Sequence, residues 1–186
     1  RARQGARAVS VLRAVALGGV LAALATLQAC GGAMGGGGGA QSGSASEQVG
    51  ASAPDFSLEP VGGGSAIGPK SFAGKVLIVD FWATWCAPCR QSFPVYQHLL
   101  EKFPGQLAIV GVSVDDGPDG IAKFKAETGV RFPLVWDQGQ AVAKAYKPGT
   151  MPTSFVIDKS GIVSSIHEGF HQGDEAALEQ QIRSLL

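Results

Sequence analysis

Val79-Asp80-Phe81-Trp82-Ala83-Thr84-Trp85-Cys86-Ala87-Pro88-Cys89 is the stretch that organises this chain. Its first half completes an apolar, β-branched run that begins at Val76, and its second half sets two thiols three residues apart directly after that run. The run lacks clean alternation, as expected of a central strand buried on both faces. If a helix opens at Cys86, its unpaired N–H groups and dipole stabilise the Cys86 thiolate, the nucleophile of disulfide exchange. Cys89, one turn on, can then reach that sulfur. Pro88 fits inside the first turn, where its missing N–H has no helical partner to lose.

Two other uses of such a pair compete with redox chemistry. A structural zinc site needs two further ligands at short spacing, but Cys30 lies far upstream and His98, His167 and His171 are scattered. No metal is therefore expected. A purely structural bridge across so short a loop gains little by restricting the unfolded chain. Redox activity is the reading the pair supports best, and the exchange itself calls for no cofactor.

The surroundings define where such chemistry would take place. Residues 1–29 carry Arg1, Arg3, Arg7 and Arg13, no acid, and an apolar stretch from Ala14 to Leu27. A basic region followed by an apolar stretch of about 14 residues reads as an export signal, since a membrane-spanning helix needs roughly 20. Because the chain does not begin with methionine, the basic region is expected to extend upstream of Arg1. Leu27-Gln28-Ala29-Cys30 resembles the bacterial lipobox, although Gln28 is larger than the residue usual there. That resemblance implies acylation of Cys30 and attachment to a membrane at the cell envelope. Residues 30–52 are mostly Gly, Ala and Ser and read as a flexible tether with a reach on the order of 25 Å. Over the whole chain 15 basic residues balance 15 acidic ones; loss of the four leader arginines leaves a net charge of −4. With no basic cluster remaining, a nucleic-acid partner is not expected.

Residues 53–186 suffice for one domain with a sizeable core. A short strand is expected at 55–58, a turn at 62–64, the central strand at 75–82, and a helix at 86–103, kinked by Pro94. A buried strand at 107–114 follows. Residues 115–152 fit an additional unit with a helix at 120–127, a strand at 132–136 and a helix at 140–146. Strands at 153–157 and 162–167 around Asp158-Lys159-Ser160-Gly161, then a helix at 174–185, complete an α/β layered pattern.

The run from Val79 to Cys89 is very similar to the active-site segment of thioredoxins. Gly149-Thr150-Met151-Pro152-Thr153-Ser154-Phe155-Val156-Ile157-Asp158 resembles their second signature, the cis-proline loop leading into a strand. The lead-in Ala53-Pro54-Asp55-Phe56-Ser57-Leu58 and the inserted unit resemble the exported branch typified by TlpA and ResA. The resemblance implies a three-layer α/β/α thioredoxin-like fold with a mixed central sheet and an inserted β-α unit. It further implies a thiol-disulfide oxidoreductase in which Cys86 attacks a client disulfide and Cys89 resolves the mixed disulfide, the two cysteines forming a redox-active bridge.

Asp80, an acid inside an apolar strand, matches the buried aspartate of thioredoxins and is the expected base for Cys89, its pKa raised by burial. Trp85, Pro88, Met151 and cis Pro152 are the expected substrate surface. Arg90 is placed to add positive potential near Cys86, while Trp82, Phe81, Tyr96, Phe124 and Phe155 read as core. The nearer branch commonly has asparagine at the Asp80 position and glutamate at the Ser92 position, so proton handling is expected to follow thioredoxin.

The leading function is reduction of disulfides in exported proteins, fed by a membrane electron relay, since an oxidising compartment does not keep a dithiol reduced unaided. The Ala-Pro dipeptide lacks the histidine that stabilises the thiolate in strongly oxidising relatives, which favours reduction. A thiol oxidase or isomerase, a peroxiredoxin-like peroxidase and a non-catalytic binding module remain as alternatives. Thr84 stands two residues before Cys86, not the three usual for a peroxidatic cysteine.

Overall fold

The computed structural model describes residues 44–186; the expected signal segment, Cys30 and most of the tether lie outside the described residues. Five strands alternate with four helices: β1 (Val76–Trp82), α1 (Ala87–Lys102), β2 (Leu107–Ser113), α2 (Ile121–Thr128), β3 (Leu134–Trp136), α3 (Ala141–Tyr146), β4 (Thr153–Ile157), β5 (Val163–Glu168) and α4 (Asp174–Leu185). They form one mixed sheet in the order β3-β2-β1-β4-β5, parallel from β3 to β1 and antiparallel from β1 through β4 to β5.

β1 is central and buried along its whole length because both its faces are covered. Val76, Ile78 and Trp82 join one apolar cluster with Phe93, Tyr96 and Leu99 of α1, Phe124 of α2 and Ile182 of α4. Leu77, Val79 and Phe81 join a second cluster with Val142 and Tyr146 of α3 and Phe155 of β4. The strand period of two thus produces the three layers. The inserted unit contributes α2 and the short edge strand β3, paired in parallel with β2.

The expected strand at 55–58 does not form. Pro54 and Pro60 bracket it, and a proline has no N–H for a ladder; Leu58 makes only an isolated bridge to Ile67, and Pro60 one to Val135. Ordered packing also begins upstream of residue 53, where composition places the end of the tether. A 3-10 turn at Ala45–Gln48 buries Ala45, the Gln48 side chain donates to the Tyr146 carbonyl, and Gly50 N–H donates to the Val163 carbonyl at 2.8 Å. Ser52 bridges Ile162, and Val61 N–H reaches the Leu134 carbonyl at 2.8 Å. α1 runs through Pro94 as a single helix. Among the described residues no helix is long and apolar enough to cross a membrane.

Candidate active site

β1 ends at Trp82, and the chain passes through Ala83-Thr84-Trp85 to Cys86, the N-cap of α1. Cys86 keeps extended backbone angles (φ −79°, ψ 104°), so its side chain turns back over the first turn and its sulfur accepts the Cys89 backbone N–H at 3.2 Å. A helix start supplies such donors because its first N–H groups have no partner further back. Pro88 sits in that first turn, as expected. The two sulfurs are joined as a disulfide with the Cα atoms 5.3 Å apart. Cys89 is fully buried and Cys86 is 5 % exposed, so access to the pair is through one sulfur only. Trp85 beside it is 70 % exposed, far above what packing would leave a tryptophan.

The loop before Cys86 is tied down by Asp115, which follows β2. The Asp115 carboxylate accepts Thr84 N–H at 3.0 Å, Thr84 Oγ1 at 2.9 Å and Ser113 Oγ at 2.7 Å, while its carbonyl accepts Trp136 Nε1 at 2.9 Å. Thr84 therefore spends its hydroxyl on Asp115. Arg90 lines the same surface cleft as Cys86, and its guanidinium also bonds Glu127 at 2.7 Å and lies 4.5 Å from the centre of the Phe124 ring.

Asp80 belongs to the even set of β1 with Ile78 and Trp82, so it faces α1, the helix that carries Cys89. It is fully buried. Across the ladder it pairs with Ser154 of β4, whose hydroxyl donates to Asp80 Oδ1 at 2.7 Å. The Tyr96 hydroxyl, from α1, lies 3.2 Å from the same oxygen and 2.6 Å from Ser154 Oγ. Burial disfavours the charged form and pushes the Asp80 pKa up to about 7, against the pull of these two hydroxyls. On the other side of β1, Asp80 is in register with Gly111 of β2, where a Cβ would come within 3.0 Å of Trp82 Nε1 and 2.6 Å of Leu134 Cδ2.

β4 begins immediately after Pro152, and its Thr153 pairs with Phe81 near the end of β1. The Met151–Pro152 bond is cis. This register brings the proline loop to the same sheet end as the Cys86 loop, and Met151 packs against the apolar cluster that contains both cysteines. Among the described residues no group of three or more His, Cys, Asp or Glu side chains is arranged to hold a metal ion.

Sequence reasoning did not single out Ser154 or Asp115, and it treated Tyr96 as simple core. A usable signal existed for Ser154: a serine inside an otherwise apolar central strand, like Asp80, needs a polar partner.

A profile of the AhpC/TSA family matches residues 49–166. The thiol-disulfide oxidoreductase ResA of Geobacillus kaustophilus is 36% identical over 122 residues, which cover 65% of this chain and 70% of that relative. ResA of Bacillus thuringiensis is 34% identical over 117 residues, covering 62% of this chain and 67% of the relative. The crystal structure of a Chlorobium tepidum protein assigned as thiol:disulfide interchange protein DsbE superposes with a TM-score of 0.70 at 37% identity, covering 74% of this chain and 96% of that one. Taken with a Cys-Ala-Pro-Cys pair bridged at the head of a helix, these likenesses lead to one conclusion: the chain belongs to the AhpC/TSA family and is a thioredoxin-like protein-disulfide oxidoreductase related to ResA.

Proposed function

We propose that this protein reduces disulfides of exported proteins at the cell envelope, with Cys86 as nucleophile, Cys89 as resolving thiol and Asp80 as the base for Cys89. The observation that carries this reading is a buried carboxyl, its pKa raised to about 7, on the sheet face covered by the helix that bears Cys89. Burial in apolar surroundings makes a thiol a weaker acid, and a carboxyl of that pKa is suited to take its proton. The Cys86 sulfur, already receiving the Cys89 N–H, gains the helix-start stabilisation that favours a thiolate. Trp85, Pro88, Met151 and Pro152 form the client surface, an extended client segment pairing with the Met151 backbone. The basic and apolar leader supports export, acylation of Cys30 supplies the membrane attachment, and a membrane electron relay returns the dithiol to its reduced state.

Equilibration of the purified protein in glutathione buffers tests the direction. A reduction potential near the thioredoxin value of about −270 mV supports a reductase, and one near about −120 mV makes the protein an oxidant. Cys89→Ser is expected to trap clients as mixed disulfides on Cys86. Rapid consumption of peroxide by that variant would replace this reading with a peroxidase.

A further inference from the structure

We propose that Ser154 and Tyr96 are positioning residues for the proton step at Asp80: they occupy Oδ1 and leave Oδ2 as the one carboxyl oxygen open to the Cys89 proton. The inference rests on the reading of Asp80 as the base for Cys89 and adds the groups that set how it works.

The three oxygens form a closed triangle, with Ser154 Oγ 2.7 Å and Tyr96 Oη 3.2 Å from Oδ1 and 2.6 Å from each other. Two hydroxyls bring two protons to this triangle. With Asp80 ionised, Ser154 donates to Oδ1 and the single Tyr96 proton lies between Oδ1 and Ser154 Oγ, so each hydroxyl supports the negative charge, directly or through the other. Tyr96 stays a neutral donor, because burial, with the Asp80 charge beside it, holds its pKa well above the ordinary range. Oδ2, equally buried, has no hydrogen-bond partner among the described residues. A buried carboxylate oxygen without a donor is costly, and a proton arriving there relieves that cost.

Among the described residues no charged side chain bonds Asp80 or its two hydroxyl partners. α1 contributes Tyr96 and, beside its hydroxyl, Ser92; β4 contributes Ser154, and β2 contributes Gly111. Behind the hydroxyls, His167 of β5, in register with Ser154, and Asp174 of α4 line a narrow cleft together with Tyr96 and Ser154. The Asp80 proton affinity is accordingly set by burial opposed by two hydrogen bonds.

In the resolving step the Cys89 thiol gives its proton to Asp80 Oδ2, and the thiolate attacks the Cys86 sulfur of the mixed disulfide. The bond from Cys86 to the client sulfur breaks as the Cys86–Cys89 bond forms, and the client leaves as a thiolate. Two electrons pass from the enzyme dithiol to the client disulfide.

Two measurements on the full chain test this. One is the NMR titration of the Asp80 carboxyl carbon in the oxidised protein; the other is the pH dependence of single-turnover insulin reduction by the reduced protein. Ser154→Ala and Tyr96→Phe each remove a hydrogen bond to the charged form. They are expected to move the Asp80 midpoint to higher pH by about one unit, with the acid limb of the rate following, a tenfold slower turnover below it. Ser154→Thr, which restores a hydroxyl, is expected to return both. Tyr96→Phe keeps its ring in the core, so at least one variant folds.

An unmoved midpoint, or a midpoint that moves while the limb stays, overturns the inference. Asp80→Asn separates the two ideas. If the limb survives in that variant, the base reading itself fails; if it disappears there yet is unaffected in Ser154→Ala, only the role of the hydroxyls fails.

Discussion

Replacing Asp80 with asparagine should stabilise the protein, and should do so only above the pH at which an unfolded carboxyl ionises. Burial lifts the Asp80 pKa from 3.8 to about 7. Below the lower value both states hold the proton, and the residue makes no pH-dependent contribution. Between the two values the folded state keeps a proton that the unfolded state has released, so stability falls as pH rises, by about 1.4 kcal/mol per pH unit. Above about 7 both states are ionised and the accumulated penalty is constant at roughly 4 kcal/mol. The asparagine side chain does not titrate, so the variant escapes that slope. Its amide N–H₂ would occupy the place of the unpartnered Oδ2 and costs about 1–3 kcal/mol, but this offset is the same at every pH. Urea unfolding of the oxidised proteins, followed by tryptophan fluorescence from about pH 4 to about pH 8, isolates the difference. The gap between variant and wild type should widen by about 4 kcal/mol toward high pH. A gap that stays constant, or that narrows with rising pH, would show that the carboxyl ionises normally and would refute the argument.

Three further outcomes follow from the geometry. Asp115→Ala strands three donors from Thr84 and Ser113; it should cost about 2–4 kcal/mol in urea unfolding and loosen the loop carrying Cys86, seen as faster amide exchange at Thr84. Gly111→Ala drives a Cβ to 2.6 Å from Leu134 and 3.0 Å from Trp82, and should destabilise by about 1–3 kcal/mol with a shifted Trp82 fluorescence maximum. Trp85→Ala, at a site 70 % exposed, should change stability by less than about 0.5 kcal/mol while raising KM for a disulfide-bonded protein and leaving reduction of a small disulfide unaffected.

The alternation of apolar runs and helical spacings was enough to place every strand and helix after residue 75 to within a few residues, because each element declares its own period. The Cys86 loop and the cis Pro152 loop were legible for a different reason: both lie in contiguous motifs. What escaped depends on partners distant in the chain. Ser154 is 74 residues from Asp80, and Asp115 is 31 from Thr84; only the β1–β4 register and the end of β2 bring them together. Composition also misjudged residues 44–52, since a stretch rich in small residues resembles a coil until Ala45 and Gln48 find a place against α3 and β5. Asp80 was readable because a lone acid in an apolar strand has to be explained locally. The partners of Arg90 were not, because Glu127 and Phe124 come from the inserted unit.

The segment from Gly50 to Val61 does more than lead into β1. Gly50 and Ser52 meet the start of β5 and Pro60 and Val61 meet β3, so one short segment visits both outer margins of the sheet. Unsatisfied backbone along such margins is a template for pairing with a neighbouring molecule. Proteolysis ahead of residue 62 would therefore leave Cys86, Cys89 and Asp80 in place, yet open both margins of the sheet to pairing with a neighbouring molecule.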